Sequence, residues 1–104
     1  MPMMTKDNVQ QAIGENAGVA VLQFHAPWCT YCRRLEPAVH ALAEEMGDAL
    51  NLYSVDTDDL PEVAEKYNIE VIPTFVVVNN GVEKARVINP PSKAALAAFV
   101  KENA

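Results

Sequence analysis

The pattern of apolar residues along the chain predicts three strands before a hairpin turn. Val19 to Phe24 is almost continuously apolar, which is the pattern of a central strand covered on both faces. Thr74 to Val78 is a second run, and its β-branched residues favour a strand. Leu50 to Val55 is a third predicted strand, half polar on one side because polar residues alternate along it, and it follows Gly47, which is suited to ending a helix.

A fourth strand is predicted at Val82 to Ile88, directly after Asn80 and Gly81. An Asn-Gly pair between two extended segments is a strong signal for a two-residue hairpin turn. Three charged residues interrupt this strand, which is typical of the edge of a sheet. A short additional strand is predicted at Pro2 to Met4.

The longest helix is predicted from about Cys29 or Thr30 to Met46, because its apolar residues recur at helical spacing. Pro37 lies inside it and is expected to kink it, since proline removes one backbone donor. Three shorter helices are predicted where a residue suited to a helix start precedes an apolar face: after Thr5, at Asp58 to Pro61, and after Ser92.

The elements therefore alternate as helix, strand, helix, strand, helix, strand, strand, helix. A strand–helix–strand unit followed by a hairpin and a closing helix predicts an α/β fold, in which a central mixed sheet of four or five strands is flanked by helices on both faces. No linker or repeat divides the chain, so residues 1–104 are expected to form a single domain.

Composition and charge exclude several classes of function. Half of the residues are hydrophobic and 21% are charged, which is the balance of a globular protein. The formal net charge is −6, with 8 basic against 14 acidic residues, so binding to nucleic acid or to an anionic membrane surface is not expected. No apolar stretch has the length of a membrane span or a signal peptide, and a cytoplasmic location is therefore expected.

The candidate chemistry lies in Cys29 and Cys32, at the start of the predicted long helix. A helix N-terminus stabilises a thiolate through its free N–H groups and its dipole. Residues three apart on a helix are neighbours, so the two sulfurs can form and break a disulfide with little backbone movement. Cys29, nearer the loop, is expected to be the more exposed nucleophile, and Cys32 the shielded resolving partner.

A Cys-x-x-Cys pair alone leaves other interpretations open. It is also half of a zinc site, but such a site needs two further ligands, and His25 and His40 are the only histidines. No metal site is therefore expected, and two inert buried cysteines are the remaining structural alternative. The acidic residues Asp56, Asp58 and Asp59 lack the glycine and distal glutamate of a calcium loop, so they are interpreted as turn and cap residues.

A pattern wider than the cysteine pair extends over almost the whole chain. It consists of Phe24, Ala26, Pro27, Trp28, Cys29, Cys32 and Pro37, the segment Tyr67 to Thr74, and the Asn80-Gly81 turn. In these residues the sequence resembles the thioredoxin superfamily. The resemblance implies a thioredoxin fold and a protein dithiol–disulfide oxidoreductase that needs no cofactor. It implies disulfide-containing protein substrates and an upstream disulfide reductase as partners, and a monomer is expected.

The resemblance also implies the substrate-binding residues. Pro73 is expected to follow a cis peptide bond and to pack beside the disulfide. The backbone of Ile72 is then free to pair with an extended substrate segment. Trp28, Thr30 and Tyr31 adjoin the cysteines and are expected to contact the substrate.

The chain departs from the family at four places. Thr30-Tyr31 stands where thioredoxins usually have Gly-Pro, and a hydroxyl here either donates to the Cys29 thiolate or is only exposed surface. Gln23 and Ser54 occupy the positions of a buried aspartate and its lysine partner, and neither is a general base near neutral pH. The other two departures are Asn89, in place of a loop glycine, and His25, which either tunes Cys29 or is structural.

Two alternative functions stay open at this stage. The segment Ala26 to Cys29 is similar to that of protein disulfide isomerase catalytic domains, which predicts an oxidase or isomerase. Tyr31 before the second cysteine is similar to some glutaredoxins that hold an iron–sulfur cluster between two chains. Arg33 and Arg34 follow directly, and they either add positive field near the thiolates or form a solvated helix face.

Overall fold

The computed structural model describes residues 3–104, in which helices and strands alternate as the hydrophobic pattern predicts. A 3₁₀ turn at Gly47–Ala49 follows the longest helix. The elements are α1 (Val9–Ile13), β1 (Val19–His25), α2 (Thr30–Met46), β2 (Leu52–Asp56), α3 (Pro61–Lys66), β3 (Thr74–Asn79), β4 (Val82–Ile88) and α4 (Lys93–Asn103).

The four strands of residues 3–104 form one mixed sheet in the order β2-β1-β3-β4. β1 runs parallel to β2, and β3 is antiparallel to both β1 and β4. β4 therefore lies at an edge, as its charged residues predict. Together with helices on both faces, this arrangement confirms the predicted α/β thioredoxin fold.

Apolar side chains fill two clusters, one on each face of the sheet. Alternate residues of β1 point to opposite faces, so Phe24 belongs to the cluster with α1 and α3, and Val21 to the one with α2 and α4. Phe75 of β3 is fully buried on the α2 side. Burial of each such side chain contributes about 1.5–3 kcal/mol to the stability of the fold. The two clusters therefore hold the strands together and fix the positions of the loops at the ends of the sheet.

The predicted start of the first helix at Thr5 is wrong. The helix begins at Val9, after Asn8, because the preceding residues form a turn instead. Thr5 Oγ1 accepts a hydrogen bond from the Asp7 N–H at 3.2 Å, and the Asn8 carboxamide oxygen accepts one from the Thr5 N–H at 2.7 Å. Short polar side chains that bond to the nearby backbone compete with helix formation in this way.

Two strand boundaries also differ from prediction. β2 starts at Leu52 rather than Leu50, because the 3₁₀ turn continues far enough for the Leu50 N–H to donate to Gly47. The strand predicted at Pro2 to Met4 is reduced to a single parallel bridge between Met3 and Ser54, and Pro2 lies outside the described residues.

Hydrogen bonds fasten the segment between α3 and β3 to the hairpin that follows it. The Tyr67 hydroxyl donates to the Gly81 carbonyl at 2.7 Å, and Arg86 Nη2 donates to the Tyr67 carbonyl at 2.6 Å. Arg86 also makes two hydrogen bonds to the Glu83 carboxylate, which lower the pKa of Glu83. These contacts hold the chain that leads into Pro73.

The hairpin turn places Gly81 against the first helix. Asn80 and Gly81 both have positive φ, 52° and 80°, as a type I′ turn requires. A Cβ atom on Gly81 would lie 2.1 Å from the Ile13 carbonyl oxygen, whereas one on Gly18, with φ of 77°, would meet nothing within 4 Å.

We predict that Gly81→Ala destabilises the protein more than Gly18→Ala does. Both changes force alanine into a left-handed conformation, which costs roughly 1–2 kcal/mol. Gly81→Ala must also displace the end of α1, which adds about 1–3 kcal/mol, as in an overpacked core. Urea unfolding measures both, and equal losses of stability in the two variants would contradict the close approach to Ile13.

Candidate active site

Cys29 and Cys32 form a disulfide at the N-terminus of α2. Cys29 is the N-cap residue, and the two Cα atoms are 5.3 Å apart. The Cys32 N–H donates to Cys29 Sγ at 3.2 Å, so the sulfur occupies the place that an N-cap oxygen takes in other helices. Cys29 is 7% exposed and Cys32 is 2% exposed, which confirms the predicted order of exposure.

Trp28, which directly precedes Cys29 in the chain, has an exposed side chain. Its exposed fraction is 65%, and its Nε1 donates to Asp58 Oδ2 at 3.1 Å. β1 and β2 are parallel, so the loops after both strands emerge at the same end of the sheet, and this topology brings the two residues together. The sequence analysis did not predict the contact with Asp58, although the predicted order of strands and helices implies parallel strands whose following loops lie at the same end of the sheet.

The acidic loop after β2 otherwise behaves as predicted. Asp56 Oδ1 accepts hydrogen bonds from the backbone N–H groups of Asp58 at 2.9 Å and Asp59 at 3.4 Å. These bonds close a turn, which is the local pattern that aspartate favours.

Ile72 and Pro73 reach the same end of the sheet from the other side. Thr74 pairs with Phe24 in antiparallel register, so the chain before β3 lies beside the end of β1 from which the cysteine loop departs. The peptide bond between Ile72 and Pro73 is cis, and Pro73 is buried. The Pro73 carbonyl accepts a hydrogen bond from the Asn89 N–H at 3.0 Å, which ties this loop to the one after β4.

Asn89 shows why the absent loop glycine does not disrupt the fold. Its φ is 48°, in the left-handed region that glycine would occupy. Asparagine tolerates this conformation better than other side chains. The loop beside the candidate site therefore keeps a glycine-like backbone but gains an exposed carboxamide.

Four large apolar side chains remain exposed around these loops. Tyr31 is 42% exposed, and Thr30 beside it is also exposed. Ile72 is half-buried. The exposed apolar residues are Trp28, Tyr31, Val71 and Ile88. The structure thus gathers the residues singled out from the sequence at one end of the sheet, and it adds Val71 and Ile88, which the sequence analysis did not identify as site residues.

Gln23 and Ser54, which occupy the positions where the resemblance implies a buried aspartate and its lysine partner, make no side-chain hydrogen bond to each other. Gln23 and Ser54 are direct neighbours across β1 and β2. Ser54 Oγ instead shares a hydrogen bond with His25 Nε2 at 2.5 Å, which gives His25 a structural partner. Gln23 is fully buried, and within residues 3–104 neither atom of its carboxamide has a hydrogen-bond partner.

In the described part of the chain, no three His, Cys, Asp or Glu side chains are grouped to hold a metal ion. Among the helices of residues 3–104, none combines the length and apolar character needed to cross a membrane.

We predict that Gln23→Met increases the free energy of unfolding by about 1 kcal/mol. A buried carboxamide without partners costs about 1–3 kcal/mol of desolvation, and methionine fills a similar volume without polar atoms. Thr74→Val is the control, because Thr74 Oγ1 donates to the Val71 carbonyl at 2.5 Å and its loss should destabilise the protein. Denaturant unfolding measures the free energy of unfolding of both variants. A clear loss of stability in Gln23→Met would contradict the prediction and show that the carboxamide has partners.

Comparison with known proteins identifies relatives over most of the chain. The sequence model of the Thioredoxin family matches residues 1–102. Thioredoxin H2 of Arabidopsis thaliana is 42% identical over 73% of this chain and 56% of its own length. The chloroplastic thioredoxin M5 of Oryza sativa subsp. japonica is 39% identical over 85% of this chain and 51% of its own length. The chain thus spans about half of these two relatives, but it spans 83% of a 35% identical thioredoxin of Bacillus subtilis, which in turn matches 83% of this chain.

Proposed function

We propose that this chain, which belongs to the thioredoxin family, is an oxidoreductase that reduces the disulfides of other proteins through Cys29 and Cys32. The observation that carries the proposal is the position of Cys29 Sγ as the cap of α2, bonded to a more deeply buried partner sulfur. A thiolate at this position is stabilised by the helix N-terminus, and a thiolate is the form that attacks disulfides.

The reaction takes place in two exchange steps. In the reduced protein, the Cys29 thiolate attacks one sulfur of a substrate disulfide, which releases the first substrate thiolate and leaves a mixed disulfide. Cys32 then loses its proton and attacks Cys29 Sγ, which releases the second substrate thiolate and forms the Cys29–Cys32 bond. Two electrons pass from the protein to the substrate, and no prosthetic group is required.

The loop before β3 is suited to hold an extended substrate beside Cys29. The backbone of Ile72 makes no backbone hydrogen bond within residues 3–104, and its side chain is only half-buried. An extended peptide could therefore pair with it as a short added strand. Trp28, Thr30 and Tyr31 would contact the same substrate, with Trp28 held in place by Asp58.

Turnover requires a source of electrons. We expect an upstream disulfide reductase to return the Cys29–Cys32 disulfide to the dithiol, since nothing in the pair itself supplies two electrons. A reductant of this kind works in a compartment whose thiols are kept reduced, which favours the cytoplasm. We expect the protein to act as a monomer on disulfide-containing protein substrates.

A protein disulfide oxidase or isomerase is the second candidate. The buried Gln23 favours it, because the family's aspartate, which would help Cys32 lose its proton, is absent. The segment Ala26 to Cys29 favours it as well. The iron–sulfur alternative is tested more simply, by the visible absorbance of protein purified without oxygen.

We predict that Cys29→Ser abolishes the protein's acceleration of insulin reduction by dithiothreitol, followed as turbidity against the uncatalysed rate. Cys32→Ser should also lose multiple turnover, but when the pre-reduced variant is mixed with insulin without dithiothreitol, it should accumulate a mixed disulfide that non-reducing mass spectrometry detects. This difference follows from the separate roles of attack and resolution. Mixed-disulfide trapping by Cys29→Ser, with none by Cys32→Ser, would reverse the assignment, and full activity in both variants would refute the proposed function.

We predict that Gln23→Asp accelerates the attack of Cys32 on the mixed disulfide by about 10-fold near pH 7. This is smaller than the acceleration of about 100-fold that an optimised general base supplies. Burial is expected to raise the pKa of the new carboxyl group towards neutrality, where it can accept the Cys32 proton. Rapid acid quench followed by chromatography resolves the release of the second substrate thiol. Gln23→Asn is the matched control without a base, and equal rates in the two variants would rule out proton transfer as the limiting factor.

A further inference from the structure

The first turns of α2, where the cysteine pair lies, and the loop after β4 form a shallow pocket. It is lined by Tyr31, Arg34, Leu35 and Pro91, and it has a volume of about 160 Å³. Pockets for drug-sized ligands and cofactors measure about 300–1,000 Å³, so this one has room for a single side chain rather than a cofactor. We refer to it as the Tyr31 pocket.

The walls of the Tyr31 pocket come from two elements packed against each other. Tyr31, Arg34 and Leu35 share one face of α2, because they are three and four residues apart. Pro91 belongs to the loop after β4 and directly precedes Ser92, the N-cap of α4. The floor is apolar, since Leu35 is buried, and Tyr31 adjoins Cys32 in the chain.

Arg34 gives this apolar pocket one uncompensated positive charge. Within residues 3–104, the ion pairs join His40 to Glu36, Arg86 to Glu83 and Lys93 to Glu45, and none includes Arg34. The residues three and four positions from Arg34 along α2 are Thr30, Tyr31, Pro37 and Ala38, and none is acidic. A guanidinium group remains charged at every physiological pH and binds carboxylates through two parallel hydrogen bonds.

The loop after β2 has the reverse charge. Asp58 contacts Trp28, and Asp56 and Asp59 belong to the same segment. In the sheet order β2-β1-β3-β4, β2 lies on one side of β1, and β4, whose loop supplies Pro91, lies on the other. An acidic substrate residue would therefore be repelled near Trp28 and attracted near Tyr31, which distinguishes substrates and orients them even though the whole chain carries a formal charge of −6.

We infer that the Tyr31 pocket selects substrates with an acidic residue within about three positions of the reactive cysteine. The aliphatic part of that side chain would rest on Leu35 and Pro91, and its carboxylate would accept hydrogen bonds from Arg34. Three extended residues span about 10 Å, which is enough to cover the rise of about 7.5 Å along the helix axis between Cys29 and Arg34. This inference rests on the proposed function, and it adds a substrate class to it.

The test uses disulfide-linked homodimers of one short peptide that contains a single cysteine. Glutamate, glutamine or lysine is placed two or three positions before or after the cysteine. The second-order rate constant for oxidation of the reduced protein by each dimer is divided by the rate constant for dithiothreitol. This ratio removes the effect of the neighbouring charge on the intrinsic reactivity of the peptide disulfide.

We expect the glutamate peptide to react about 2- to 5-fold faster than the glutamine peptide on at least one side of the cysteine, which is the range for an exposed ion pair. Arg34→Gln should bring the ratio of the glutamate rate to the glutamine rate close to 1. Arg34→Glu should make the lysine peptide the fastest of the three. Arg33→Gln is the matched control, because Arg33 is adjacent and exposed but does not line the pocket. It should keep most of the preference.

Two outcomes would overturn the inference. One is an equal rate for the glutamate and glutamine peptides with the unsubstituted protein, and the other is an equal loss of preference in the Arg33 and Arg34 variants. Failure to reduce even the glutamine peptide would instead count against the proposed function. Thermal unfolding of each variant verifies that these exposed substitutions leave the fold intact.

Discussion

The start of α2 is the constraint on which the candidate site depends. Cys29 must be the N-cap residue, neither one turn inside the helix nor one residue before it, for its sulfur to meet the free N–H groups. The loop from β1 sets this position, because Ala26 is buried and its carbonyl accepts a hydrogen bond from the Cys29 N–H at 3.1 Å. The Cys32 N–H then points at Cys29 Sγ, and the same donor is available to a thiolate after reduction.

The central place of β1 in the sheet brings the remaining parts to this point. Its parallel neighbour β2 delivers the acidic loop, and its antiparallel neighbour β3 delivers Pro73. The hydrogen bond between Asn89 and Pro73 adds the loop after β4. Four loops from distant parts of the sequence are therefore held by one set of strand pairings, and the two buried clusters hold those pairings in place.

Much of this could be predicted from the sequence, because apolar periodicity and turn residues act locally. The strands, the long helix, the Asn80-Gly81 turn and the edge position of β4 all follow from such patterns. The start at Thr5 could not be predicted, since its hydroxyl and Asn8 form competing turn contacts that a capping pattern does not reveal. The contact between Trp28 and Asp58 and the walls of the Tyr31 pocket depend on tertiary packing, which joins residues far apart in the chain.

Gln23 and Ser54 occupy the positions at which the resemblance implies a buried aspartate and its lysine partner. Gln23 is fully buried and carries a neutral carboxamide, and Ser54 is bonded to His25. We therefore assign the stabilisation of the reduced state to the N-terminus of α2 rather than to a buried carboxylate.

The most direct test of that claim is the reduction potential of the Cys29–Cys32 pair, measured by equilibration in glutathione or dithiothreitol buffers and trapping of free thiols. A reductant of the thioredoxin type predicts a value of about −270 mV. A value between about −180 and −120 mV would contradict the assignment as a reductant and favour an oxidase or isomerase.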